Sequence, residues 1–194
     1  MSNSDRVITR IGAWVAGGQE VTWTNHQPAS SLVQWKRNNA KGTTPPPQMA
    51  TNLSMVCYEL PFWGAYHSGV WSADDLWDKV HAFDSVGHGA AASIISTITS
   101  SSWFNSTKTL NDPTTNALRK GDIVMFNGVG HVCIATGVSE QQPNEVYSVW
   151  GLDPTGLRAN TPVERTSVST ILAQIAAGAP GVAQTVTYSR PSWW

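Results

Sequence analysis

The sequence predicts an α+β protein, in which helices pack against a small antiparallel sheet. Two observations predict this class. Some segments carry apolar residues at helical spacing, and others alternate apolar and polar residues as strands do. The clearest strands are consecutive and are joined at Asn127-Gly128, a dipeptide typical of hairpin turns. The chain of 194 residues shows no internal repeat and no linker, so we expect one domain over residues 1–194.

The first half of the chain predicts one early strand followed by helices. Residues 20–23 alternate as a short strand. Residues 30–38 place leucine, valine and tryptophan on one side of a helix. The proline-rich stretch 41–47 is predicted to be a stiff loop. Residues 73–83 are predicted to be helical because Ser72 is a good N-cap and acidic residues follow it.

The second half predicts most of the sheet. The strands are expected at residues 122–126, 131–137, 145–150 and 183–189. Residues 167–177 carry apolar residues at helical spacing. Residues 91–99 are expected to be helical, although their isoleucine and threonine content leaves a strand open. Residues 100–116 are polar and are expected to form a loop.

Charge and hydropathy exclude several classes of function. Net charge is −1 and only 13% of residues are charged, which does not suit a nucleic-acid-binding or membrane-surface protein. No apolar run is long enough to insert into a membrane. The polar N-terminal residues contain no signal-peptide core. We therefore expect synthesis in the cytoplasm and, for an extracellular target, export by a route that reads no N-terminal signal.

The cysteines and histidines do not predict a metal site or another cofactor. Two cysteines make no disulfide framework and are too few for a structural zinc site. The histidines without ligand spacing are His26, His67, His81 and His88. The acidic residues of 74–78 are interpreted as charges at a helix start. The ten tryptophans fit either a core or an aromatic groove for a sugar or peptide.

Cys57 and His131 are the candidate catalytic pair. A catalytic cysteine reacts as a thiolate, and a helix N-terminus lowers a thiol's pKa. With Ser54 as the predicted N-cap, Cys57 lies in the first turn of a helix that ends near Ser68. His131 opens a strand, where its side chain can face such a helix terminus. Cys133 shares a face with His131 by strand alternation and is interpreted as a core residue.

The segments that carry this pair resemble a known superfamily. Cys57 followed by Leu118-Arg-Lys-Gly-Asp-Ile-Val-Met-Phe and Gly130-His-Val-Cys-Ile-Ala is similar to the NlpC-type and CHAP-type papain-like cysteine peptidases. The resemblance covers about residues 50–150, although Cys57-Tyr-Glu replaces the usual Cys-Ser-Gly. It implies a papain-like fold with the nucleophile at a helix N-terminus. It also implies an enzyme that cuts peptide or amide bonds in bacterial peptidoglycan.

The family usually places a third residue, which orients the histidine, on the strand after the histidine. Here that strand, residues 146–150, contains no Asp, Glu, Asn, Gln or His. Three acceptors remain open. They are the Ser148 hydroxyl, Asp153 reaching back, and the main-chain carbonyl near Trp150, which we favour. For the oxyanion, the resemblance points to the side chain of Asn52 together with the Cys57 main-chain N–H.

The expected function is therefore amide hydrolysis through an acyl-enzyme. The expected substrate is the peptide stem of peptidoglycan, and the expected context is an antibacterial effector toxin with a cognate immunity protein. One alternative keeps the pair but acts on a host protein, as a deamidase, a transglutaminase-like enzyme or a protease toxin. A second alternative is a non-enzymatic binding module that uses the tryptophans. The oligomeric state stays open.

Overall fold

The computed structural model describes residues 1–25, 27–84, 108–109, 118–127, 130–137, 144–150, 157–178 and 184–193. Within these stretches the protein contains five α-helices, two 3-10 helices and nine strands in two sheets. This mixed architecture agrees with the predicted α+β class. The expected helix at 91–99 lies outside the described residues.

The α-helices include four of the predicted segments and one that the sequence reading missed. Their bounds are α1 Asn3–Ala16, α2 Ser31–Asn38, α3 Leu60–His67, α4 Ala73–Asp84 and α5 Val168–Gly178. Helix α1 is the missed one. Its N-cap Ser2 and Asp5 form a capping box, and Val7 and Ile11 are buried one helical turn apart. Both signals are local features of the sequence and predict a helix at this position. No described helix has the length and apolar character to cross a membrane.

The strands confirm the predicted hairpin and extend the sheet around it. Their bounds are β1 Glu20–Thr24, β2 Ser54–Met55, β3 Lys108–Thr109, β4 Ile123–Phe126, β5 His131–Ala135, β6 Glu145–Ser148, β7 Leu157–Pro162, β8 Glu164–Ser167 and β9 Val186–Ser189. Strand β3 lies in the expected loop, because it finds a partner in the distant β9. Strands β7 and β8 were not predicted. The predicted third strand of the meander, β6, ends at Ser148 rather than at Trp150.

Six strands form one antiparallel sheet in the order β3-β9-β4-β5-β6-β8. The second sheet has the order β2-β1-β7, with β1 and β2 parallel. In the hairpin, Phe126 pairs with His131 and Ile123 with Ile134. This register places the candidate histidine at the turn end of a central strand.

Both faces of the six-stranded sheet are covered. On one face Met125, Val132 and Ile134 join the larger core with residues of α1–α4. On the other face Phe126 and Cys133 join a smaller core with Ile171 of α5. The alternation predicted along β5 is therefore confirmed, and His131 shares its face with Cys133.

The residues just before β4 connect the hairpin to α1 near the N-terminus and to the segment after β9. Gly121 has φ +85°, and a Cβ there would meet the Ser4 hydroxyl of α1 at 2.8 Å. Asp122 is buried, pairs with the buried Arg190 after β9, and accepts the Arg119 N–H at 2.8 Å. Glycine is required here by both the backbone angle and the close approach of α1.

Candidate active site

Cys57 lies in a short turn between a strand and a helix. It is the first residue of the 3-10 helix Cys57–Glu59, and α3 begins only at Leu60. The predicted N-cap Ser54 is wrong, because Ser54 belongs to β2 and pairs with Thr22 of β1. The Val56 N–H at the start of the turn is instead accepted by the Glu59 carboxyl at 3.1 Å.

The thiol of Cys57 is buried, with only 6% of the residue exposed. Burial raises its pKa to about 11, and the nearby Glu59 carboxylate acts in the same direction. Main-chain hydrogen bonds with Val132 and Tyr58 oppose this shift. The expected lowering of the thiol pKa is therefore wrong for the free protein. The physical reason is that a single 3-10 turn offers too little positive potential to offset complete desolvation.

The Cys57 thiol lies beside the first half of β5. Main-chain N–H groups alternate in direction along an antiparallel strand, and the Ala135 N–H points to the β4 side. The Val132 N–H therefore points to the β6 side. The pairing of β5 with β6 covers Ile134 and Ala135. Closer to the turn, the Val132 main chain is hydrogen-bonded to Cys57. The nucleophile candidate thus contacts the residue that follows the candidate base.

His131 is buried, with 1% of the residue exposed. Its Nε2 lies 2.9 Å from the Ser148 hydroxyl, and among the described residues its Nδ1 has no hydrogen-bond partner. The ring stacks on Trp150, with centroids 4.7 Å apart, and also contacts Phe126. Burial lowers the pKa of His131 to about 3, so the imidazole is neutral at physiological pH. A buried ring nitrogen without a partner costs about 1–3 kcal/mol.

Ser148 also contacts the second cysteine. Continuing the register of β5 and β6 from Ile134 and Tyr147 places Cys133 opposite Ser148. A hydrogen bond with the Ser148 hydroxyl partly offsets the burial that raises the pKa of Cys133. A hydroxyl has one proton to donate, so the two contacts of Ser148 are coupled. The buried cluster His131–Ser148–Cys133 is thus one hydrogen-bonded chain.

Other predicted site residues are not gathered around His131. Of the three acceptors considered for the imidazole, Ser148 is the one that the structure places in hydrogen-bond contact. Trp150 meets the imidazole through its ring rather than through its carbonyl. Asp153 lies outside the described residues. Asn52 is exposed in the turn before β2. No hydrogen bond joins Nδ1 of His131 to the Cys57 thiol.

Glu59 is a buried group that the sequence reading overlooked. Its carboxyl accepts the Ser30 hydroxyl at 2.6 Å and the Val56 N–H, and it is fully buried. Burial raises the pKa of Glu59 to about 8. A glutamate three residues after the start of the turn is the available sequence signal, because it is the position from which a carboxylate caps a helix. Its role is to hold the turn that carries Cys57.

The other histidines and the tryptophans that the structure describes can be placed individually. Among the described residues, no group of three His, Cys, Asp or Glu side chains could hold a metal ion. His67 stacks on Trp63 and His81 on Trp77, whereas His26 and His88 are not among the residues described. None of the described tryptophans is exposed. Those tryptophans pack in or against the core, and Trp150 also lines a small cavity beside His131.

Comparison with known proteins adds no relative. No protein-family model matches this chain, and neither a curated protein nor a solved structure matches it at a significant level. The fold and the site define an α+β protein with a buried imidazole and a buried thiol on neighbouring segments.

Proposed function

We propose that the protein is a papain-like cysteine hydrolase that cleaves amide or peptide bonds, with Cys57 as nucleophile and His131 as base. One observation carries the proposal. His131 is held through Nε2 by Ser148, and its other nitrogen is buried without a partner in the part of the chain that the structure describes. A buried group left unsatisfied in a packed protein calls for an explanation, and a proton-transfer role is one.

The hydrogen-bonded chain supports a particular tautomer of His131. If Ser148 donates its proton to the sulfur of Cys133, its oxygen accepts a proton from Nε2 of His131. Nδ1 then carries no proton and is the basic nitrogen. Ser148 thus performs the orienting role that an Asn or Asp performs in related triads. Trp150 stacks on the ring and limits its rotation.

The reaction begins from a neutral thiol and a neutral imidazole. In the resting structure His131 faces the α5 side of the sheet, whereas Cys57 packs in the core on the other side. In the proposed mechanism, substrate binding therefore has to bring Nδ1 of His131 into contact with the Cys57 S–H. The thiol proton passes to Nδ1 as sulfur bonds to the amide carbonyl carbon. His131 then gives this proton to the leaving nitrogen, and the C–N bond breaks. Water attacks the thioester, its proton passes to His131, and the S–C bond breaks to restore the thiol.

Main-chain N–H groups around the thiol are suited to the oxyanion. The Cys57 N–H and its neighbour on Tyr58 lie at the start of the 3-10 helix and already contact the sulfur. These groups develop their full effect only when charge appears on the substrate oxygen. Asn52 would have to approach from its exposed turn to serve as a second donor.

The proposed substrate is the peptide stem of peptidoglycan, and the proposed context is an antibacterial effector guarded by an immunity protein. Both are supported by the resemblance of the Lys120–His131 region to the NlpC-type and CHAP-type enzymes.

The test is digestion of purified peptidoglycan and of a glutamine-rich protein, with products identified by mass spectrometry. We expect new amine termini on stem peptides, and loss of activity by ~10³-fold or more in Cys57→Ala and His131→Ala. Cys133→Ala removes the other thiol and should keep far more activity than Cys57→Ala, since Cys133 reaches His131 only through Ser148. Ammonia release from the protein would instead identify a deamidase. Cleavage that survives in Cys57→Ala would overturn the proposal.

A further inference from the structure

A cavity of about 490 Å³ lies where the start of α1 meets the segment that leads into β4. Its described lining consists of Ser2, Asn3, Ser4 and Asp5 from the start of the helix and of Arg119 and Lys120 from the segment. Cavities that bind small molecules commonly measure about 300–1,000 Å³. This end of the hairpin is opposite to the turn at which His131 lies, so the cavity is separate from the proposed active site.

The start of α1 presents two main-chain donors without acceptors. The first four N–H groups of an α-helix have no partner within the helix. Here the Asp5 N–H donates to the Ser2 hydroxyl and the Arg6 N–H donates to the Ser2 carbonyl, both at 3.1 Å. The N–H groups of Asn3 and Ser4 have no acceptor in the part of the chain that the structure describes. These two groups are available to a ligand.

The hydroxyl of Ser4 is a second and independent feature. Ser4 is 5% exposed, and its Oγ has no hydrogen-bond partner among the described residues. Buried polar atoms in folded proteins nearly always have a partner, and an exception calls for an explanation such as a missing ligand. Because Ser4 lines the cavity, a ligand bound there can supply the acceptor.

The described charges around the cavity favour an anion. Lys120 and Asp5 form an ion pair of 2.8 Å, and Asp122 is buried against Arg190. The Arg119 guanidinium is exposed and forms no ion pair with any described residue. The N-terminus of a helix carries a partial positive charge, which adds to that of this cation.

We infer that this cavity binds a ligand that carries a carboxylate or phosphate group. The ligand oxygens accept the N–H groups of Asn3 and Ser4 and the Ser4 O–H, and the Arg119 side chain pairs with the negative charge. The volume leaves room for more of the ligand than its charged group. The inference uses neither Cys57 nor His131, so it is independent of the proposed hydrolase function.

Titration with simple anions tests the site. Sodium phosphate and sodium acetate are added separately at constant ionic strength, with sodium chloride as the balancing salt, while the main-chain amide NMR signals of Asn3 and Ser4 are followed. We expect saturable shifts with at least one of the two anions, and the tighter binder identifies the group as a phosphate or a carboxylate. Signals that do not move, or that move without saturating, would overturn the inference.

A charge-removing variant tests the contribution of the cation. Arg119→Gln should weaken anion binding by about fivefold, because the paired charge is lost. Arg10→Gln is the matched control, since Arg10 is an exposed residue of the same helix and lies outside the cavity lining. Equal weakening by both variants would indicate general attraction of anions to the protein and would overturn a specific site.

Ser4→Ala separates ligand binding from a structural role of the hydroxyl. Since the hydroxyl has no described partner, we expect anion affinity to fall by about fivefold while the free energy of unfolding without anion does not decrease. A decrease in that free energy together with unchanged anion affinity would assign the hydroxyl to the fold and overturn the inference.

Discussion

The imidazole and the thiol of the proposed site are positioned by different kinds of structure. His131 stands on a central strand, and its partners Ser148 and Trp150 follow from the register of one sheet. Cys57 stands on a 3-10 turn that is held by a buried acid, Glu59. The strand pairing alone positions the His131 ring. The turn, in contrast, leaves the Cys57 thiol buried and protonated at neutral pH. For the proposed hydrolase, substrate contact rather than the resting structure would therefore have to activate the sulfur.

The largest expected effect is on the free energy of unfolding, and it comes from Glu59, the buried acid that caps the 3-10 turn of Cys57. The pKa of Glu59 is raised to about 8 from 4.5, so the folded state retains a proton that the unfolded state loses. Stability contributed by this group is complete below pH 4.5 and falls as pH rises toward 8, by about 1.4 kcal/mol per pH unit. Glu59→Gln should remove this pH dependence of the free energy of unfolding. Relative to the wild type, the variant should therefore gain stability as pH rises. Chemical denaturation at several pH values measures it.

Glu20→Gln serves as the control for that measurement. Glu20 lies on β1 and is partly exposed, and this substitution should leave the slope in place. An unchanged slope in Glu59→Gln would show that Glu59 is ionised in the folded state, and the turn would then carry a buried charge.

The next effect concerns the reactivity of the Cys57 thiol. Because burial raises its pKa to about 11, alkylation at neutral pH should be ~100-fold slower than for a thiol of pKa 9.0. The Cys133→Ser background isolates the signal. Adding His131→Ala should not change the rate in the free protein, since Nδ1 makes no bond to the sulfur. Fast labelling below pH 8.5 that depends on His131 would contradict this account and indicate a preformed ion pair.

The smallest expected effect concerns Ser148. Ser148→Ala removes the acceptor for Nε2, so the ring can adopt the wrong tautomer, and kcat should fall by ~10-fold with little change in KM. Cys133→Ala keeps the Ser148 oxygen but frees its proton, and a smaller loss in kcat is expected. If Cys133→Ala costs more than Ser148→Ala, the serine is not the link to the histidine.

Much of the sheet could be predicted from sequence, and much of the thiol's surroundings could not. The hairpin of β4 and β5 follows from Asn127-Gly128 and two apolar runs, which are local signals. Ser148 was among the acceptors considered, since alternation along β6 places it near His131. The pairing of Ser54 with Thr22 joins residues far apart in sequence, and no local pattern encodes it. The raised pKa of Cys57 depends in turn on that long-range burial.

The residues 120–122 lend the resemblance most of its specificity, yet they perform no chemistry. Gly121 has no side chain and so leaves room for Ser4 of α1, and Asp122 forms a buried ion pair with Arg190. These residues close the fold around the hairpin, and their loss would cost stability before it cost activity. A search for distant relatives that follows this Lys-Gly-Asp block therefore detects an architecture. Under the proposed function, the joint presence of Cys57, His131 and Ser148 is the pattern that such a search should require in addition.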